Sequence, residues 1–283
     1  HHCTHAARIA AGKSGDEGGV AREAQILAVQ VFSWFPNADG PGVGAAQTWA
    51  SDQILGLERI YDLRNTYPIA AVNMSLGGGK HYSPCDDDAR KAIIDNLRSV
   101  GIATVISSGN NGYTDATGAP GCISTAVTVG ATTKSDVVAT YSNSASFVDV
   151  LAPGSSINSS IPGGGFASWN GTSMAAPHVA GAFAVIRTAY PDLPVDQIEN
   201  ALKQTGVPVS DVPRGVSPQA ITKPRIRVKE TIDALALITP TPTTAPVTPT
   251  PTMAPPTTAP VTPTPTMAPP TGFPTVFPSG GGG

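Results

Sequence analysis

Short apolar runs, rich in β-branched residues, alternate with segments of helical periodicity between residue 25 and about residue 206. The runs lie at 26–32, 69–74, 102–106, 126–131 and 147–151. They are nearly continuously apolar, as expected for strands that are covered on both faces. Strands that alternate with helices in this way are typical of βαβ units around a parallel sheet. The pattern therefore predicts an α/β fold with a central, mostly parallel sheet.

The segments between the runs predict helices. Apolar residues recur at helical spacing around Leu57 and again around Leu97, where the segment ends at Gly101. Further helices are predicted at 173–190, 194–204 and 228–237.

From Thr239 onward the chain is almost entirely Pro and Thr, and a 14-residue stretch that starts at Thr243 is repeated unchanged from Thr257. Such a segment has no apolar periodicity and is expected to stay extended and solvated, as a spacer or an O-glycosylated stalk that attaches the protein to a surface. We therefore divide the chain into a folded domain, 1–238, and a disordered tail, 239–283.

Composition narrows the classes of partner. The net charge of −3, the isoelectric point near 5.9 and the lack of a long Lys/Arg run argue against nucleic-acid binding. No stretch reaches the roughly 18 consecutive apolar residues of a membrane span. With 40% hydrophobic residues, the chain can bury one sizeable core.

The three cysteines are Cys3, Cys85 and Cys122, and no two are close enough in sequence to suggest zinc. Cys85 and Cys122 each lie in a loop with Pro or Gly, which favours a disulfide and an extracellular or cell-surface location. The alternative is two unpaired buried thiols.

Ser173 is the strongest candidate for a catalytic residue. It lies in the segment Asn170–Gly181, where a glycine-containing turn meets an apolar helix. Unpaired N–H groups and the helix dipole at such a point can stabilise negative charge on a substrate carbonyl oxygen. Pro177 is compatible with the first turn of a helix, so the helix is expected to start close to Ser173. An ordinary N-cap is the alternative for an isolated Gly-Thr-Ser.

The run Gly-Thr-Ser-Met-Ala-Ala-Pro-His-Val-Ala-Gly, from Gly171 to Gly181, resembles the serine motif of the subtilisin-like (S8) serine proteases. The resemblance extends over residues 1–238. It implies a subtilisin-like three-layer fold and a serine endopeptidase that acts on proteins or peptides. Ser173 would be the nucleophile.

Two further segments agree with this family in the expected order. Asn73–Gly78 resembles the segment that lies against the substrate backbone, which implies that Ser75, Leu76 and Gly77 flank the P1 side chain. Ser107–Gly112 resembles the oxyanion-hole turn, which implies that the side chain of Asn110 donates a hydrogen bond to the oxyanion.

The residues after His1 resemble the family's histidine motif and imply that His2 is the general base, although His1 and His2 could also be the remnant of a tag. Cys3 and Arg8 stand where the family has glycine. The family's catalytic aspartate lies upstream of this motif, so we expect it, and the strand that carries it, before residue 1. Asp16 and the run 86–88 follow the histidine in polar loops and receive no catalytic role.

Two other functions can be compared with a subtilisin-like protease. An α/β-hydrolase would need glycine two residues after the serine, where this chain has Ala175. A catalytically impaired surface or binding module of the same fold is the second alternative, and Cys3, Arg8 and the tail favour it. No cofactor or metal ligand can be assigned, and calcium is suggested by analogy with the family alone.

Overall fold

The structure is a computed structural model that describes residues 2–13, 18–37, 43–211 and 221–238. All of these belong to one structural unit, His1–Thr241. The predicted tail, 239–283, and Asp16 lie outside the described residues. None of the helices in the described part of the chain has the length and apolar character needed to cross a membrane.

Helices and strands alternate through most of the described chain. The helices are α1 (His2–Ala11), α2 (Ala50–Leu63), α3 (Lys91–Ser99), α4 (Thr172–Ala189), α5 (Val195–Thr205) and α6 (Val228–Ile238). The strands are β1 (Ser33–Phe35), β2 (Ala45–Gln47), β3 (Ala71–Met74), β4 (Gly78–His81), β5 (Ala103–Ser107), β6 (Thr117–Ala119), β7 (Val127–Thr132), β8 (Val150–Pro153), β9 (Ile157–Ser160), β10 (Phe166–Trp169), β11 (Val207–Ser210) and β12 (Thr222–Arg225).

The central sheet has six strands in the order β11-β12-β8-β7-β5-β3. Its pairs are parallel except for β11–β12. The remaining described strands form the antiparallel pairs β1–β2, β4–β6 and β9–β10. The predicted α/β fold with a mostly parallel sheet is therefore confirmed.

Helices cover both faces of the sheet. Val105 of β5 packs in a core with Phe183 of α4 and Ile198 of α5, while its neighbour Ile106 packs in a second core with Ile94 of α3. Adjacent residues of a strand point to opposite faces, so the burial of every residue of β5 follows from its two helical covers. The result is a three-layer arrangement.

Four of the five predicted strands are present. β3, β5 and β7 fall within or beside the predicted runs, and β8 starts three residues after the run 147–151 begins. The prediction of a strand at 26–32 is wrong: this segment is not a strand, and Ile26, Leu27 and Val29 are 51%, 41% and 40% exposed. A strand requires a neighbour for its backbone hydrogen bonds, and none of the described residues pairs with this segment.

Helix α1 packs closely against α4 at Gly181. A Cβ atom at Gly181 would lie 2.8 Å from Cβ of Val20 and 3.0 Å from the carbonyl oxygen of Ala10. Only glycine allows this approach. The contact fixes the helix that carries His2 against the helix that carries Ser173.

Candidate active site

The candidate site residues follow two neighbouring strands of the sheet. Ser75 comes directly after β3, and Asn110 comes three residues after β5. Because these strands are parallel, their carboxyl ends meet at the same edge of the sheet, where ligands bind in open α/β sheets. Ser173 is the second residue of α4 and is half-buried.

Pro177 is the sixth residue of α4, and our expectation that it lies in the first turn is wrong. A proline at this position cannot donate to the carbonyl oxygen of Ser173, four residues earlier. The hydroxyl of Ser75 donates to that oxygen instead, at 2.8 Å. The backbone of the candidate nucleophile is thereby fixed to the end of β3.

The hydroxyl of Ser75 is itself oriented. The side-chain amide of Asn73 donates to it at 3.0 Å, so that the hydroxyl proton is available for Ser173. This role was not predicted from the sequence, which assigned Ser75 to substrate binding alone. The other two predicted substrate-binding residues continue the same segment: Leu76 is half-buried and Gly77 is exposed.

The side chain of Asn110 has a defined orientation. Its Oδ1 accepts hydrogen bonds from the backbone N–H and the hydroxyl of Thr172, both at 2.9 Å. The Nδ2 group therefore faces away from Thr172, and it lies 3.4 Å from the position that a Cβ atom would take at Gly171. Asn110 is exposed, so its N–H groups can reach a ligand beside the start of α4.

Asn143 holds the loop that carries Asn110, and sequence reasoning missed it. Its Oδ1 accepts from the backbone N–H groups of Asn111 and Tyr113, at 3.0 and 3.1 Å. Its Nδ2 donates to the carbonyl oxygen of Ser108 at 2.9 Å. Asn143 is 1% exposed. In the sequence it stands between serines and is typical of a surface turn, so no local signal indicated its burial.

Trp169 lies beside His2, the predicted general base. The imidazole of His2 stacks near the indole, with 6.4 Å between ring centroids and 22° between planes. Trp169 is the last residue of β10, four residues before Ser173. It therefore places the His2 ring beside the segment that leads to the candidate nucleophile.

His5, one helical turn after His2 in α1, is a packing residue. It is fully buried and stacks on Trp169 with 4.3 Å between centroids and 8° between planes. Its Nε2–H donates to the carbonyl oxygen of Ala167 at 2.9 Å, and its own carbonyl oxygen accepts from Ser159 at 2.7 Å. These contacts attach α1 to the β9–β10 pair.

The environment of His2 favours a neutral imidazole. Desolvation by the surrounding protein lowers the pKa of His2 from its ordinary value of 6.5, and the charge of neighbouring His5 lowers it further. A base must be neutral to accept a proton. His178 serves another purpose: its Nδ1–H donates to the carbonyl oxygen of Met174 at 2.8 Å, and burial lowers its pKa.

Cys3 and Arg8, which stand where the family has glycine, fit into the structure without steric conflict with the core. The guanidinium of Arg8 lies over the ring of Phe166, 4.6 Å from its centroid, and the residue is only partly buried. Cys3 is exposed and unpaired. Neither side chain enters the core.

The structure forms the predicted disulfide between Cys85 and Cys122, whose Cα atoms are 5.3 Å apart. The sequence predicts no catalytic role for the acidic run 86–88. Within it, Asp86 accepts hydrogen bonds from the backbone N–H and the hydroxyl of Ser124. Asp88 accepts hydrogen bonds from the guanidinium of Arg90. Both carboxylates thus have structural partners.

Hydrogen bonds connect Ser75 to Ser173 and Asn110 to Thr172. The hydrogen bonds of the described residues include none between the imidazole of His2 and the hydroxyl of Ser173. Trp169 lies beside the imidazole of His2 and precedes Ser173 by four residues in the chain.

A model of the Subtilase family, peptidase S8, matches residues 1–226. The chain belongs to the subtilase family. It is 36% identical over 209 residues to Subtilisin E of Bacillus subtilis (strain 168), a match that covers 72% of this chain and 50% of that protein. It is 35% identical over 209 residues to Subtilisin of Bacillus pumilus, which covers 72% and 69% of the two chains. This subtilase chain spans about half the length of Subtilisin E.

Solved structures agree with the fold. The crystal structure of a cold adapted subtilisin-like serine proteinase superimposes with a TM-score of 0.59 at 32% identity, over 72% of this chain and 67% of the other. A protease from Pseudoalteromonas arctica gives a TM-score of 0.66 at 28% identity, over 82% and 70%. The fold is therefore subtilisin-like.

Proposed function

We propose that this subtilase is a serine endopeptidase that hydrolyses peptide bonds of proteins, with Ser173 as nucleophile, His2 as general base and Asn110 in the oxyanion hole. The observation that carries the proposal is the fixed start of α4. Ser75 holds the carbonyl oxygen of Ser173, and Thr172 orients the amide of Asn110. An active site needs such rigid positioning of its reacting groups.

In the proposed reaction, the hydroxyl oxygen of Ser173 attacks the scissile carbonyl carbon while His2 accepts the hydroxyl proton. The Nδ2–H of Asn110 and the backbone N–H of Ser173 donate to the oxygen that becomes negative. His2 then protonates the leaving amine. Water attacks the resulting acyl-enzyme by the same steps and releases the second product.

We further propose that an aspartate upstream of His1 completes the triad and orients the imidazole of His2. Two features of the described residues support an upstream strand. β3 is an edge strand of the central sheet, so one side of its backbone has no strand partner among the described residues. Residues 26–30 are exposed, and the segment 26–32 has no strand partner among the described residues, although its composition is that of a covered strand.

The proposed substrate lies along residues 75–77 in an extended conformation. This segment leads directly into β4, whose antiparallel partner is β6. Extended peptides bind proteins by adding main-chain hydrogen bonds at such edges. We also propose an extracellular or cell-surface location, because disulfides such as Cys85–Cys122 persist in oxidising compartments.

The test is hydrolysis of a fluorogenic peptide by the gene product with its upstream residues included. We expect turnover that is abolished by Ser173→Ala, whereas Ser99→Ala, at an exposed hydroxyl on α3, leaves it unchanged. Equal turnover by the protein and its Ser173→Ala variant would refute the assignment of the nucleophile.

The second candidate is a binding module of the same fold that has lost its chemistry. Cys3, exposed directly after His2, favours it because the family has glycine at this position. A correctly folded protein that binds peptides without cleaving them would establish this alternative.

A further inference from the structure

Outside the candidate active site, the fold brings together three side chains that can bind a metal ion. The ligand atoms of His81, Cys85 and Cys122 all lie within 4.8 Å of one another. The two cysteines are 5% and 1% exposed, and His81 is half-buried at the end of β4. The spacing in the sequence gave no indication of this cluster, because 37 positions separate the cysteines.

The cysteines form a disulfide, so their sulfur atoms become available only after reduction. The loops that carry them are also joined by contacts that do not involve sulfur. The backbone N–H of Cys85 donates to the carbonyl oxygen of Cys122 at 3.0 Å. Asp86 accepts hydrogen bonds from the N–H and hydroxyl of Ser124, at 2.9 and 2.7 Å. We therefore expect the two thiols to stay adjacent after reduction.

His81 is held to the same region by a separate connection. It pairs with Thr117 in the β4–β6 ladder, and β6 ends at Ala119, three residues before Cys122. All three candidate ligands thus lie on one short antiparallel pair or in the two loops that follow its strands. Reduction of the disulfide breaks none of the hydrogen bonds that hold this pair.

The distances suit a tetrahedral zinc ion. With Zn–S near ~2.3 Å and Zn–N near ~2.0 Å, tetrahedral angles place the two sulfur atoms about 3.8 Å apart and each sulfur about 3.6 Å from the nitrogen. The sulfur atoms must therefore separate by about 2 Å from their disulfide distance. The imidazole nitrogen, which lies within 4.8 Å of both sulfur atoms, must approach them by at most about 1 Å. Side-chain rotation can supply such movements.

We propose that the reduced protein binds one Zn²⁺ through Cys85, Cys122 and His81. A dithiol reductant supplies two electrons and two protons to the disulfide and is itself oxidised to a disulfide. Zinc then displaces the two thiol protons and binds two thiolates and the neutral imidazole. Three protein ligands leave the fourth position for water. Disulfide and zinc exclude each other, so the redox state decides which cross-link joins the loop after β4 to the loop after β6.

The test uses the full chain in a Cys3→Ser background, which removes the exposed thiol that lies outside the cluster. The protein is reduced with a dithiol, freed of reductant without oxygen and titrated with Zn²⁺ in competition with a chromophoric chelator. Titration with Co²⁺ reports the ligands, because thiolate coordination gives charge-transfer absorption and a tetrahedral site gives intense d–d bands. Far-ultraviolet circular dichroism checks that the reduced protein is folded.

We expect one zinc ion per reduced chain and none per oxidised chain. His81→Gln should weaken binding by at least about 10-fold, because even outer-shell substitutions cost about 10- to 100-fold. Tyr82→Phe, at the exposed neighbouring residue, should bind as the background does. The proposal is overturned by absent uptake, by unchanged affinity in His81→Gln, or by unfolding on reduction that zinc does not reverse. None of these readouts depends on peptidase activity.

Discussion

The hydroxyl of Ser75 donates to the carbonyl oxygen of Ser173, which Pro177 leaves without its usual helical partner. Ser75→Ala removes this donor. In the Pro177→Ala background, however, the residue at 177 regains a backbone N–H that can donate to the same oxygen. The two substitutions together therefore test whether Ser75 compensates for the proline.

The loss of unfolding free energy in Ser75→Ala depends on how far the carbonyl oxygen of Ser173 is left without a hydrogen-bond donor. Loss of a hydrogen bond that leaves a buried group unsatisfied costs about 1–3 kcal/mol. Ser173 is only half-buried, so water can donate to its carbonyl oxygen in place of Ser75. We therefore expect Ser75→Ala to lower the free energy of unfolding by about 1–2 kcal/mol in the natural background. In the Pro177→Ala background the cost should fall below about 0.5 kcal/mol, because an alternative donor is present.

The assay is urea unfolding of the four proteins of this cycle, with the free energy of unfolding taken from midpoint and slope. Ser99→Ala is the matched control, since its hydroxyl also donates to a carbonyl oxygen, that of Asn96, at 2.8 Å on an exposed surface. We expect this control to change stability by less than about 0.5 kcal/mol. If Ser75→Ala costs the same with and without Pro177, within about 0.3–0.5 kcal/mol, the two residues are independent and the reasoning fails.

Three further outcomes are expected. Asn143→Ala should lower the free energy of unfolding by about 2–4 kcal/mol, because it leaves two backbone donors unpaired. The control Asn96→Ala, at an exposed residue, should lower it by less than about 0.5 kcal/mol. Equal losses would contradict the role of Asn143 in holding the loop that carries Asn110. Gly181→Val should cost about 1–3 kcal/mol by overpacking α1 against α4, and full stability in urea would show that this contact is not tight. In the chain that begins at His1, the rate at which a fluorophosphonate labels Ser173 should rise with pH through a midpoint below 6.5, because desolvation and His5 lower the pKa of His2. Inclusion of an upstream carboxylate should move that midpoint upward, since a negative charge favours the imidazolium, and a midpoint above 6.5 without the carboxylate would contradict the interpretation.

The fold could be predicted because its strands carry a physical signature. β5 and β7 are buried on both faces, and each consists of apolar and small uncharged residues. α3 ends at Ser99 and is followed by Gly101, whose φ of +83° favours glycine. The segment 26–32 has the same signature, yet it forms no strand. The apolar composition of a segment indicates whether it can be buried on both faces. Whether it forms a strand also depends on a neighbouring strand, elsewhere in the chain, that accepts and donates its backbone hydrogen bonds.

The candidate site was predicted in part for a similar reason. The positions of Ser173 and Asn110 could be inferred because their motifs are continuous in the sequence. The roles of Asn143 and Trp169 could not be inferred, because each contacts residues that are distant in the sequence. Asn143 contacts a loop about 30 residues upstream, and Trp169 contacts α1. No sequence motif indicates that His81 lies near the disulfide, because only the pairing of β4 with β6 brings it there.

The central claim is that the hydroxyl of Ser173 is an activated nucleophile. The direct measurement is labelling of the native protein, upstream residues included, with a fluorophosphonate, followed by mass spectrometry of its peptides. We predict a single adduct on Ser173 that is absent from Ser173→Ala and forms about 10²–10³ times more slowly in Asn110→Ala, a magnitude established for an oxyanion donor in another member of this family. A folded protein that gains no adduct, or gains it at another residue, would contradict the account.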